Sequence, residues 1–256
     1  MPGAARLRRR SITSSRSSPP PDITDAVAVW WAGDLSLADN AGVASWTDRV
    51  SSITVSPVTD NPTYQLFALN GQPAVLFDGT NDVFTTTNTV STSADGCVVA
   101  VLATSEVDDQ QAIWSSSDGS VLNRYITGSI GLNNLRVRQY NADTLDDVEG
   151  GSLPAINTLT AFEWSSNGSA YTLRINNTPE TLSTVSGSNT GDWFSDVSGR
   201  DNFTIGGLDL NNAGPIFLLM NPDTYLGYLG VFDSPLSTDD RTALYNWISL
   251  TYGITF

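Results

Sequence analysis

Oxygen-bearing side chains gather at two places along this 256-residue chain, and their types are those that hold a hard cation. Asp78, Asn81 and Asp82 form one group, and Asp209, Asn211 and Asn212 the other. Carboxylate and amide oxygens are what calcium takes, about six to eight at a time. Neither group has the spacing of an EF-hand loop. Both also have a plainer use, since Asp78-Gly79 and Asn81-Asp82 are good turn formers and 211–214 reads as a loop. The turn and loop readings are the stronger at both places, so no cofactor is expected, and calcium is the one metal to test for. Other chemistry is closed by composition. No histidine occurs, which removes the side chain that titrates near neutrality and the usual ligand of transition metals. Ser-His-Asp and Cys-His catalysis are excluded with it. The single cysteine, Cys97, opens the apolar run 97–102 and reads as a small buried hydrophobe, so no internal disulfide is available.

The elements that must position any site read as strands. Only four glutamates (106, 149, 163 and 180) and no lysine are present, so the residues that populate exposed helix faces are scarce, while Thr, Val and aromatics suit pleated surfaces. Residues 69–84 spell out a strand, a turn and a second strand: Asn70-Gly71 and Asp78-Gly79 bracket the apolar run 74–77, and Val83-Phe84 restarts the sheet. Further strands are expected at 26–31, 97–103, 112–114, 121–126, 135–140, 158–164, 170–175, 203–205 and 225–232. In 135–140, Leu135, Val137 and Gln139 alternate with Arg136 and Arg138. The stretch 97–103 is apolar throughout, as for a central strand covered on both faces. The acidic stretch 141–149 reads as a loop. Turn signals roughly every ten residues describe a sandwich. One helix is expected near the end, capped by Ser237, with Ala243, Leu244, Trp247, Ile248 and Tyr252 as its apolar stripe and Gly253 as its stop.

Charge divides the chain. Residues 1–21 hold five arginines (Arg6, Arg8, Arg9, Arg10 and Arg16) and no acid, which leaves 12 − 5 = 7 arginines against 27 acids, or −20, for residues 22–256. The first segment is Ser- and Pro-rich, lacks the apolar stretch of a secretory signal, and ends in three prolines. It reads as a basic arm, either a solvated tail or one that orders on docking to a partner. A transit peptide is compatible with its composition, although the rest of the chain speaks against that. The expected domain boundary lies at residue 21. The acidic body should repel nucleic acid and anionic membrane, whereas the arm could bind an acidic surface.

Three blocks stand in order along the body: 42–49 with Trp46 and Arg49; 62–64 running through 69–82; and 229–241 with Trp247 and Tyr252-Gly253. Together they resemble the concanavalin A-like, laminin-G-type domains of bacterial surface proteins and bacteriophage virion proteins, over residues 24–254. The resemblance implies an all-β jelly-roll sandwich of two antiparallel sheets with a short C-terminal helix. It does not imply one function. Glucanases of this kind carry Glu-x-Asp-x-x-Glu on one strand face; here Glu106 and Asp108 are followed by Gln111, so the proton donor is missing, and the stretch reads as a loop. Glycan sites in such folds use an exposed aromatic, for which Trp193 and Tyr140 are the candidates. These readings lead to a non-enzymatic virion protein, a capsid decoration or a tail or fibre component. It would be anchored to other virion proteins through the arm, homo-oligomeric, and able to present its body to host-surface glycans. The rival expectations are a free bacterial carbohydrate-binding or adhesion protein and an inactive glucanase-like module.

Overall fold

The computed structural model describes residues 18–210 and 216–256. In chain order its strands are β1 (Ala26–Trp31), β2 (Trp46–Thr47), β3 (Thr54–Pro57), β4 (Thr63–Leu69), β5 (Gln72–Phe77), β6 (Phe84–Thr86), β7 (Gly96–Ala103), β8 (Gln111–Ser117) and β9 (Arg124–Gly131). They continue as β10 (Asn134–Asn141), β11 (Thr144–Gly150), β12 (Thr160–Ser166), β13 (Tyr171–Ile175), β14 (Thr178–Pro179), β15 (Leu182–Ser186), β16 (Phe203–Ile205) and β17 (Thr224–Phe232), before helix α1 (Thr238–Tyr252). One sheet runs β14-β13-β12-β7-β17-β5-β4, with β1 also on β17; the other runs β15-β11-β10-β9-β8-β16-β6-β3-β2. All the strand pairings are antiparallel. The chain is thus an all-β sandwich.

The space between the sheets is filled by large aromatics. Trp30, Trp46, Trp114, Trp164, Trp193, Phe77, Phe84, Phe194 and Phe203 are all fully buried there. Strand β7 explains its unbroken apolar run. Val98, Ala100 and Leu102 face this core, while Cys97, Val99, Val101 and Ala103 face a second layer under α1. The helix begins at Ser237, whose Oγ accepts from Asp240 N at 3.1 Å, and ends at Gly253 in the left-handed region at φ 71°. It buries Leu244, Tyr245, Trp247, Ile248, Thr251 and Tyr252. Ala243, expected in that stripe, is exposed, because the stripe is centred one position later. Glu163 of β12 is wholly buried beneath the helix, taking Arg241 at 2.8 Å, Tyr245 Oη at 3.0 Å and Arg174 at 3.6 Å. A buried carboxylate needs such partners.

Where the chain enters the sandwich also differs from expectation. Trp247 Nε1 donates to the carbonyl of Ser18 at 2.8 Å, and Pro20 and Ile23 are buried. The packed body therefore already includes residues 18–21. The turn of the 69–84 segment forms as expected: Asn70 and Gly71 take φ of 50° and 81° between β4 and β5. After Phe77, however, the chain does not double back within one sheet. Asp78 to Asp82 carry it across to the other sheet, where β6 pairs with β16 and β3. Two further corrections concern sequence extents. Strand β9 starts at Arg124 rather than 121, and the acidic stretch expected as a loop contains β11, paired with β10 along its whole length.

Candidate functional site

Period-two alternation builds a polar face on the outer side of the β15-to-β2 sheet. Leu135, Val137, Ile126, Ile130 and Val148 turn inward to the core. Their neighbours must turn outward. Register then lines up one row across seven strands: Asp147 opposite Arg138, Arg138 opposite Thr127, Thr127 opposite Ser115, Ser115 opposite Thr204, Thr204 opposite Thr85, and Thr85 opposite Ser56. The flanking rows bring Glu149, Arg136 and Ser129 to one side, and Tyr140, Tyr125 and Ser117 to the other.

The middle of this row is closed and one end is open. Residues 206–210 and 216–220 lie against β8 and β16. The Oγ of Ser115 donates to Gly207 O at 2.9 Å, Ser117 Oγ donates to Asp209 O, and Ala112 N donates to Leu218 O at 2.8 Å. Ser115, Thr127, Ser129 and Thr204 are fully buried as a result. The open end is made by Arg138, Tyr140 and Glu149, all part-exposed. Asp147, 1% exposed, organises it. Its two oxygens take Arg136 Nε at 2.5 Å and Nη2 at 2.6 Å, and Oδ2 also takes Arg138 Nε at 2.8 Å. One carboxylate thus fixes two guanidiniums, the first bidentately. Burial works against the charge on Arg138, but Asp147 and Tyr125 outweigh it and hold its pKa above the usual value. Burial also raises the Tyr125 hydroxyl, with Arg138 opposing. The rings of Tyr125 and Tyr140 meet edge to face at 6.0 Å. Ala112, Leu208, Leu210 and Leu218 pack with them as an apolar wall. The arrangement offers rigid, oriented donors beside an aromatic and aliphatic surface.

Of the residues singled out from sequence, Tyr140 lies on this face. Trp193 does not: it is fully buried, with Trp114 at 5.7 Å and Phe194 at 5.2 Å, so it has no surface to offer a sugar. Its loop turns inward because Trp193 N donates to Asp196 Oδ2 at 2.8 Å and Tyr171 Oη donates to Asp192 O. Glu106 and Asp108 lie in the loop between β7 and β8 as expected. Gln111 is buried at the start of β8, donating to Thr104 Oγ1 at 3.2 Å and Glu106 O at 3.1 Å, so the three do not share a strand face. Asp78 accepts from Thr80 N at 2.8 Å and Asn81 N at 3.3 Å, and Asp82 accepts from Asp78 N at 2.9 Å. These are turn contacts. Among the described residues no three Asp, Glu, His or Cys side chains converge as a metal would need. Asn211, Asn212 and the arm residues Arg6, Arg8, Arg9, Arg10 and Arg16 lie outside the described residues.

Sequence reasoning did not single out Arg136, Arg138, Asp147, Glu149 or Tyr125 as site residues. A signal existed. Arg136 and Arg138 alternate with apolar residues in 135–140, and Asp147 and Glu149 follow at the spacing that a short hairpin would bring opposite them.

No family model matches the sequence, and no curated protein matches it. Solved structures do resemble the fold. The CBM40 module of the Ruminococcus gnavus IT-sialidase bound to alpha2,3 sialyllactose superposes with a TM-score of 0.56 at 16% identity, covering 68% of this chain and 94% of that one. The same module bound to alpha2,6 sialyllactose gives 0.53 at 17%, covering 68% and 95%. Trypanosoma rangeli sialidase in complex with the inhibitor DANA gives 0.53 at 11%, covering 85% of this chain but 32% of its own. At such identities the likeness concerns the fold alone, a lectin-like β-sandwich.

Proposed function

We propose that this protein is a non-catalytic carbohydrate-binding domain whose ligand sits at the open end of the polar face. The observation that carries the reading is the pair Arg136 and Arg138 fixed on one buried carboxylate beside Tyr125 and Tyr140. A sugar has an apolar C–H face and a rim of hydroxyls. Tyr140 with the part-exposed Leu210 and Leu218 suits the first, and the Arg138 guanidinium with Glu149 suits the second. Their donors are preorganised, so little side-chain freedom is lost on binding. The complexes of the CBM40 neighbour with sialyllactose support a sialylated glycan as the first ligand to try.

The test is an array of sialylated and neutral oligosaccharides probed with the wild type and Arg138→Gln. Saturable binding that weakens about tenfold or more in the variant is expected, the loss of one charged hydrogen bond being worth roughly 1.5–3 kcal/mol. Unchanged binding in Arg138→Gln, or none by the wild type, overturns the reading.

The setting we propose for this domain is a free bacterial carbohydrate-binding or adhesion protein, which the bacterial neighbours support. Display on a virion through the basic arm is the second reading. It rests on the five arginines that precede a body of −20.

A further inference from the structure

The opposite sheet carries a cavity of about 410 Å³, within the range of roughly 300–1,000 Å³ typical of small-molecule sites. It opens on the outer face of the sheet containing β4, β5 and β17, beyond the area covered by α1. Asn70 marks the border, since its Nδ2 donates to the carbonyl of Tyr252 at the helix end at 2.6 Å.

A break in the β4–β5 ladder creates the cavity's rim. Gln65 pairs with Ala74 and Leu69 with Gln72, so four residue steps in β4 run opposite two in β5. Pro73 lies at the break and has no N–H to give. The extra residues of β4 bulge, Leu66 N turns to Asp39 Oδ1 at 2.9 Å, and Phe67 stands out 60% exposed. The cavity's lining includes Tyr225, Ala103 and Leu159, with Asp39, Gln65 and Asn157 as polar groups. Tyr225 lies in register between Leu76 of β5 and Ala103 of β7.

We infer that this cavity is a second glycan site, taking a neutral sugar with its C–H face on Phe67 and its hydroxyls on Asp39, Gln65 and Asn157. The charge decides the class. The lining holds Asp39 and no arginine, on a body of −20, so an acidic sugar is disfavoured here. A large aromatic held into solvent by a backbone bulge costs burial that the fold does not recover, and a stacking ligand recovers it. The site shares no residue with the polar face, so it goes beyond the function proposed above.

The array separates the two. Neutral glycans bound by Arg138→Gln as well as by the wild type, and weakened about tenfold by Phe67→Ala, are expected. Because Phe67 is exposed, its truncation leaves the core intact, which an unchanged melting temperature checks. If Phe67→Ala leaves every signal unchanged while Arg138→Gln abolishes them, the first site stands and this one falls. A wild type that binds sialylated but no neutral glycans also overturns it.

Discussion

Asp82 shows what a single residue gives up to make the crossing between sheets. Its carboxyl is 6% exposed and accepts from Asp78 N. Burial raises its pKa from 3.8 to about 6; the Asp78 N–H opposes this, and the charges of Asp78 and Asp60 add to it. A carboxyl raised on folding favours the folded state most where it is protonated in both states, and that contribution is lost as pH climbs through about 6. Asp82→Asn keeps an acceptor for Asp78 N and carries no charge. It should therefore melt higher than the wild type at about pH 8, with the difference narrowing below about pH 6 and closing near pH 4. A thermal scan at about pH 8 and about pH 4 checks this, and a variant less stable at about pH 8 would show that the carboxylate is needed in its charged form. Residue identity alone could not convey any of this. Asp78 and Asp82 were legible as turn residues, but that Asp82 would be buried depended on the chain leaving one sheet for the other.

At the scale of the element, the β10–β11 hairpin is the piece on which the proposed site depends. Arg136 would be an improbable strand residue if its nearly buried guanidinium were not held by Asp147 from the next strand, and Trp164 Nε1 anchors the same strand to the core through Arg136 O at 2.9 Å. Asp147→Asn leaves two arginines without their shared carboxylate. A loss of about 3 kcal/mol is expected in denaturant titration, since breaking a buried pair strands the remaining charge. Adding Arg136→Met to that change should return part of it, because the costliest stranded charge is then gone. A loss below about 1 kcal/mol for Asp147→Asn would mean that Glu149, opposite Arg136, takes over the pairing. The hairpin also marks where sequence reading stopped. Strands whose faces differ in polarity, such as 135–140 and 170–175, were legible, and so was the helix with its cap. Thr144–Gly150 was not, because four of its seven residues, Asp146, Asp147, Glu149 and Gly150, disfavour a strand until a partner supplies arginines. Trp193 failed for the converse reason. A Gly- and Asp-rich neighbourhood reads as surface, yet its loop folds inward over Trp114.

For the whole molecule, the large term is the negative field. Within residues 22–256 the arginines of the described ion pairs engage Asp34, Asp118, Asp147 and Glu163, while Arg200 is held by carbonyl and hydroxyl oxygens and its pKa is lowered to about 10 by burial. The 27 acids against these seven arginines leave the body at −20, which repels itself in the folded state more than in an expanded one. The strongest pairs, at Asp147 and Glu163, are buried and little touched by salt, whereas repulsion between surface acids is screened once the Debye length falls from about 30 Å at 0.01 M to about 8 Å at 0.15 M. Melting temperature should therefore rise with sodium chloride over that range. The arm modifies this in a definite direction. All five of its arginines precede Ser18, where the packed body begins, so a chain starting at Ser18 changes the net charge from −15 to −20 without removing a described contact. That truncated chain should show the steeper salt dependence and the lower melting temperature at about 0.01 M, converging on the full chain at 0.15 M. If both chains instead lose stability as salt is added, exposed ion pairs outweigh the net field. If the two respond identically, the arm's charge does not act on the body at all, and its arginines are left to act on a partner.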